Sequence, residues 1–326
     1  MLIAIIIIIV IVLLFVWDFT PKNPTVWGVT FSQEYAHNEL GLDWQKTYLA
    51  ILDDLKVSHL RLSAYWKKTE PQAGQYDFAD LDWQINEATK RGVKIILAVG
   101  RRLPRWPECH DPSWLKNLSA EQINQKQLQL IKTIAERYRN NPNIIYFQVE
   151  NEPFLRSFGQ CPALDKNFIK KEVKLIKQIT GRPILVTDSG ELSTWLRTSR
   201  LGGDVLGSTL YRVVYNPQFG YWRWFLPPSY YYFKAQLIKA VSPVKKVIIA
   251  ELQTEAWHKQ NTNLKEMSVA DASESLSLNQ FKKNIAFSRR AGFREVYLWG
   301  VEWWYFLKEN QNYGDYWNEA KKLWQK

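Results

Sequence analysis

The chain is poor in the residues that most often hold metals or staples: two cysteines and four histidines in 326 residues. His37, His59, His110 and His258 show neither H-x-H nor H-E-x-x-H spacing, so neither a metal nor a cofactor is expected. A Gly-rich phosphate turn is missing as well. Neither G-x-G-x-x-G nor a Walker sequence follows an early strand-like run, which argues against a doubly wound nucleotide-binding sheet. Basic and aromatic residues are not interleaved as in nucleic-acid binders, so no such partner is expected. Lys and Arg number 43 against 32 Asp and Glu, a net charge of +11. Much of this surplus falls at helical spacing, as in KNFIKKEVKLIK (166–177), which reads as a solvated helix face. The excess biases the protein toward anionic surfaces such as membranes or cell-wall polymers.

Charge is absent altogether from residues 1–17, MLIAIIIIIVIVLLFVW. That length is slightly short of, but compatible with, a spanning helix. No Lys or Arg precedes the run and no small-x-small cleavage site follows it. The expectation is an uncleaved transmembrane anchor, with a removed signal peptide as the alternative. The domain that follows is then placed outside the cytoplasm, anchored or, if cleaved, secreted. Cys109 and Cys161 each lie shortly after a predicted strand end. Export would permit a disulfide between them; two unrelated thiols are the alternative.

Residues 18–25 (DFTPKNPT) read as a linker. From 26 to 326 strand-like runs alternate with amphipathic ones. The predicted strands are 26–31, 59–65, 94–99, 144–149, 184–187, 205–211, 246–250 and 295–299. Between them apolar residues recur at helical spacing, as in Trp44, Tyr48, Ile51, Leu52 and Leu55. Gly92, Gly181 and Gly292 stand between a helix and the next strand, where a left-handed cap is expected. Without internal repeats or a second compositional block, the pattern predicts one α/β domain, a (β/α)8 TIM barrel behind an N-terminal transmembrane helix. Segment 216–228 (NPQFGYWRWFLPP) is predicted to be a long aromatic loop.

Active sites of such barrels sit at the C-terminal ends of the strands. Read in order, those ends carry Ser32 and Gln33, Tyr65 and Trp66, Gly100 and Arg101, Asn151 and Glu152, Asp188, Tyr211, Glu251, and Trp299. The ring is polar and aromatic. It offers carboxylates for proton transfer and attack, amides for hydroxyls and flat faces for sugar C–H surfaces. Two glutamates at the tips of interior strands suit acid/base work on a glycosidic bond.

Asn151-Glu152-Pro153 ending strand four, with Glu251 ending strand seven, resembles the clan A glycoside hydrolases, which include cellulases, mannanases, β-glucosidases and β-xylosidases. The resemblance covers the domain from about Val26 onward. It implies Glu152 as general acid/base and Glu251 as nucleophile. It implies Asn151 on the 2-hydroxyl of the reacting sugar, and Arg61 and Tyr211 on the nucleophile carboxylate. Trp299 would floor the sugar subsite, and Trp66 joins the substrate-binding set. The chain departs from the clan pattern at Thr209 and at Gly100-Arg101, where many relatives carry histidines. Glu150 is expected inside the barrel or paired with Arg61, and Glu255 as a subsite carboxylate. Trp222, Trp224, Trp303 and Trp304 are expected as loop aromatics.

The expected activity is retaining hydrolysis of a β-glycosidic bond in an oligo- or polysaccharide by a monomeric catalytic domain. An envelope-glycan transglycosylase would share every one of these residues. A non-catalytic glycan-binding barrel would have no need of the glutamate pair.

Overall fold

The computed structural model describes residues 14–259 and 262–325. The strands are β1 (Val26–Thr30), β2 (His59–Ser63), β3 (Lys94–Val99), β4 (Ile144–Val149), β5 (Ile184–Asp188), β6 (Val205–Leu210), β7 (Val213–Asn216), β8 (Gly220–Arg223), β9 (Lys246–Gln253) and β10 (Glu295–Trp299). Eight of them close a parallel barrel in the order β1, β2, β3, β4, β5, β6, β9, β10, and β10 pairs back onto β1. The remaining two, β7 and β8, form an antiparallel hairpin after β6. Part of the segment expected as a loop is therefore paired, and Pro228 opens the next helix.

Around the barrel run α1 (Trp44–Ala50), α2 (Trp66–Thr69), α3 (Ala79–Lys90), α4 (Ala120–Tyr138), α5 (Lys166–Thr180), α6 (Pro228–Val241), α7 (Val269–Leu276), α8 (Leu278–Arg290), α9 (Val301–Asn310) and α10 (Asp315–Lys321). Local chemistry sets several of their ends. Ser119 and Gln122 form a reciprocal capping box at the start of α4. The Asp165 side chain accepts from Phe168 N at the start of α5, and Gly181 closes that helix in the left-handed conformation.

The barrel strands are nearly unbroken apolar runs because both their faces are covered. Ile96, Leu185, Val205, Ile248 and Tyr297 fill the barrel interior, with Tyr146 against them. The larger core lies between sheet and helices and takes in Phe147, Val149, Ile169 and Leu252. Trp303 and Trp304, expected in a loop, lie on α9 and are fully buried in that core.

Strand β9 departs from expectation in a way that positions chemistry. It continues to Gln253, so Glu251 lies within the strand rather than after it. Its register slips against both neighbours around Ala250 and Glu251: Ser208 pairs with Ile249 but Thr209 with Glu251, and Val296 pairs with Ile249 but Leu298 with Leu252. An extra residue in a strand re-aims the side chain beside it.

Residues 1–13 of the expected anchor lie outside the described residues. Leu14, Phe15, Val16 and Trp17, which follow, are exposed. Among the described residues no helix is long and apolar enough to cross a membrane.

Candidate active site

The strand β4 exit is built under backbone strain. Glu150 and Glu152 both have positive φ, +56° and +39°. Such values are uncommon outside glycine and persist where surrounding bonds over-determine them. At Glu152 the following proline narrows the choice further. Thr187 Oγ1 on β5 accepts from Glu152 N (3.0 Å) and donates to Asn151 Oδ1 (3.1 Å), holding both residues.

Arg61, fully buried on β2, is the hub. Its Nε donates to Gln148 Oε1 (2.8 Å), Nη2 to Asn151 Oδ1 (2.7 Å) and Nη1 to Glu251 Oε1 (2.8 Å). The other oxygen of Glu251 accepts from the Tyr211 hydroxyl (3.0 Å). The Glu251 carboxyl is thus gripped by a guanidinium and a phenol, and it is only 3% exposed. A buried pair of this kind repays its desolvation only when further hydrogen bonds complete it, as Gln148 and Asn151 do here.

Among the described residues no cation pairs with Glu152, which is 5% exposed. Burial pushes its carboxyl well above the ordinary range, and the charges of Glu251, Glu108 and Asp188 push it further. Thr209 Oγ1 donates to Glu152 Oε1 over 3.5 Å. The threonine that stands where a histidine was expected therefore faces Glu152, not Glu251. The two carboxyls thus sit in different environments, one against a guanidinium and a phenol, the other among carboxylates.

The long loop after β3 completes the site. Its turn runs from Leu103, whose N donates to Glu108 O, through the Glu108 N to Arg105 O bond. A disulfide between Cys109 and Cys161 ties it to the loop after β4. Arg102 donates to the carbonyls of Leu155 (2.7 Å) and Phe158 (2.8 Å) and pairs with Glu108 (2.6 Å). Glu108 in turn accepts from Asn151 Nδ2 (3.2 Å). Burial pushes Glu108 up to about 7, Arg102 pulls it down, and Glu251 pushes it up again. At the tip of the turn Arg105 reaches across to Glu255 and Glu302.

Arg61, Asn151, Glu152, Tyr211 and Glu251 come together as the sequence suggested, and Trp299 borders them, half-buried with the Arg105 guanidinium over its ring at 4.2 Å. Trp66 does not. It is buried on α2, its indole N–H donates to Glu70 (2.9 Å) and its ring meets Trp114 edge-on, so it offers no face to a sugar. Glu150 does not pair with Arg61 either. The positive φ turns it outward, where it accepts from Arg101 N (2.9 Å), Arg102 N (2.6 Å) and Gln127 on α4 (2.7 Å). A side chain at Gly100 would collide with that carboxylate, which explains the glycine in place of the expected histidine. Asp188 accepts from Ser189 N, Ser193 and Thr198 and serves its own loop. Glu108, Arg102 and Arg105 escaped the sequence reading. Their signal was there, a cluster of opposite charges beside Cys109, but a loop's charges carry no period that shows which way they face.

The sequence model of the cellulase family (glycosyl hydrolase family 5) matches residues 24–214, more than half of the chain, ending short of Glu251. Over 217 residues the chain is 26% identical to "Beta-galactosidase BgaA" of Clostridium cellulovorans, covering 58% of this chain and 31% of that one. It is 24% identical over 162 residues to a "Beta-galactosidase" of an Arthrobacter species, covering 41% and 22%. The chain thus spans less than a third of the length of either. Among solved structures, a family GH5_18 protein from Bifidobacterium longum superposes with a TM-score of 0.59 at 16% identity, over 85% of this chain and 70% of that one. The "Exo-beta-1,4-mannosidase Op5Man5" of Opitutaceae bacterium strain TAV5 gives 0.58 at 16% identity, over 87% and 53%. At such identities the likeness is one of fold.

Proposed function

We propose that this chain, which belongs to the cellulase family (glycosyl hydrolase family 5), is a retaining β-glycosidase with Glu152 as acid/base and Glu251 as nucleophile. The observation that carries the reading is the asymmetry of the two carboxyls. Glu251 is gripped by Arg61 and Tyr211, whereas among the described residues Glu152 is in no ion pair and is pushed up by burial and by Glu251. In the first step the Glu152 proton passes to the glycosidic oxygen as a Glu251 oxygen attacks the anomeric carbon. The carbon–oxygen bond breaks and the aglycone leaves as an alcohol. Glu152, now a carboxylate, takes a proton from water, which attacks the same carbon and releases Glu251. Two inversions give net retention, which carboxyls about 5 Å apart favour. Asn151 Oδ1 is taken up by Arg61 and Thr187, which leaves its amide hydrogens to serve Glu108 and the sugar 2-hydroxyl.

The named relatives make galactosides and mannosides the first sugars to try. Membrane attachment outside the cytoplasm belongs to the same proposal, supported by the apolar N-terminal sequence and by the disulfide. The test is hydrolysis of p-nitrophenyl β-galactoside, β-mannoside and β-glucoside, with proton NMR of the first sugar anomer released. The β anomer is expected first. The α anomer first would contradict the double displacement.

A further inference from the structure

Glu152, Glu251 and their supports leave one quadrant of the mouth, over the loops that follow β10, β1 and β2. It is filled by the loop after β3. Arg105, itself at φ +83°, sends its guanidinium over the mouth. Nη1 and Nη2 grip both oxygens of Glu255 after β9 (2.6 and 3.0 Å), and Nη2 also reaches Glu302 after β10 (2.7 Å). The flat ion lies 3.8 Å from the centre of the Tyr35 ring, after β1, and 4.2 Å from that of Trp299. Glu302 accepts from Ser32 N (2.6 Å). Beside it the Tyr65 hydroxyl, after β2, donates to the Pro104 carbonyl (2.9 Å) and pairs with Ser32 Oγ (2.7 Å). A side chain at Gly300 would strike Glu255, so the backbone leaves just enough room for this assembly. One loop is thereby fastened to four other βα units, and all of the charged groups are buried.

The location of this assembly decides which part of a substrate it meets. This step rests on the roles proposed above. The acid protonates the leaving oxygen, so the leaving group lies on the Glu152 side, over β4. The sugar whose anomeric carbon is attacked lies over Glu251. Anything joined to that sugar's non-reducing end would continue away from β4, past β9 and Trp299, into the quadrant that Arg105 fills. Trp106, 56% exposed and next to Arg105, begins an arc of rings through Phe158, Trp257 and Tyr211, with successive centroids 5.6, 5.9 and 5.5 Å apart, which joins the loops after β3, β4, β9 and β6.

We propose that Arg105 and the groups it grips wall off the donor side of the cleft, so that the protein acts only on a terminal, unsubstituted β-linked sugar and releases it as a monosaccharide. Among the described residues Arg105 Nε is buried without a hydrogen-bond partner, a donor that the assembly leaves unspent. Arg105, Tyr35 and Trp299 are then specificity-determining residues for one donor subsite.

The experiment uses the full chain and, for the sugar identified with the p-nitrophenyl glycosides, a β-linked trisaccharide labelled at its reducing end. A second sample carries a benzylidene cap on the non-reducing sugar. The expected wild-type result is free monosaccharide and labelled disaccharide as first products, with the capped sample cleaved at only a small, measurable fraction of the free rate. Early release of unlabelled disaccharide, or cleavage of the capped sample at a comparable rate, overturns the wall. Failure to cleave any glycoside overturns the hydrolase reading instead, and the wall with it. Removing Arg105 would strand two buried carboxylates and endanger the fold, so the variant is Tyr35→Ala, which loosens the wall without unpairing a charge. It is expected to raise the capped-to-free rate ratio about tenfold, the scale of one altered pocket contact. A folded Tyr35→Ala protein with an unchanged ratio overturns the assignment of the wall to this cluster.

Discussion

Glu152 and Glu251 differ in what surrounds them more than in what they are. On the proposed roles, Glu152→Gln removes the proton donor and keeps the shape. Turnover of glycosides with poor leaving groups is expected to fall about 10²- to 10⁴-fold. Activated aryl glycosides, which need less protonation, should lose far less in the first step, and parallel steady-state assays with the two kinds of substrate check this. Tyr211→Phe deletes one hydrogen bond to the Glu251 carboxylate. A bond to a charged group of this kind is worth about 1.5–3 kcal/mol, so kcat/KM should drop about ten- to a hundredfold while the fold, followed by circular dichroism, is unchanged. At this scale the sequence was most legible where a motif fixes both residue type and place. Asn151-Glu152-Pro153 and the apolar run into Glu251 located the pair, and Arg61 and Tyr211 followed. It was least legible where a residue's direction depends on backbone strain: the positive φ at Glu150 sends that carboxylate to the helices, against the alternation of the strand.

Two elements leave the barrel together behind Glu150. Gln127 of α4 donates to Glu150 (2.7 Å) and to Glu172 of α5 (2.5 Å), so two buried acids share one amide. Burial pushes Glu150 up to about 7, and burial with the Glu150 charge pushes Glu172 well above its ordinary range. A folded acid with a raised pKa binds protons more tightly than the unfolded chain. The stability it lends is complete below the ordinary carboxylate range and is lost as pH rises through about 7. The melting temperature of the wild type should therefore fall from about pH 5 to about pH 8, and Glu172→Gln, which keeps the amide contact but removes one acid, should flatten that fall. Equal slopes by differential scanning calorimetry would count against a shared proton. The loops after β3 and β4 are a second such unit. Their disulfide closes a separation of 52 residues. Chain entropy puts its contribution at about 4 kcal/mol. Cys109→Ser with Cys161→Ser should lower the melting temperature and, because Glu108 adjoins Cys109, also kcat/KM. Of these elements, strand and helix existence was legible from periodicity. The slip in β9 and the β7–β8 hairpin were not, because a bulge and a pairing depend on neighbours distant in sequence.

Over the whole molecule, the barrel was legible because eight buried parallel strands must each read as apolar runs between amphipathic helices. The buried ring at Trp66 was not, since a tryptophan at a strand end can face either a cleft or a core. The apolar N-terminal sequence makes its own prediction. Expressed from the first residue, the chain should sediment with membranes and be released by detergent but not by salt. The same chain started at Asp18 should remain in the supernatant. Release of the longer chain by salt alone would assign its attachment to the net charge of +11 rather than to residues 1–17.

The division of labour between the two glutamates is tested most directly by trapping. An aryl 2-deoxy-2-fluoro glycoside of the sugar that the protein releases slows both steps and lets the covalent intermediate accumulate. Peptide mass spectrometry should then find one sugar, on Glu251, and Glu251→Ala should be rescued by azide to give the inverted glycosyl azide. A label on Glu255 or Glu108, or inversion by the unmodified protein with no label at all, would contradict the account.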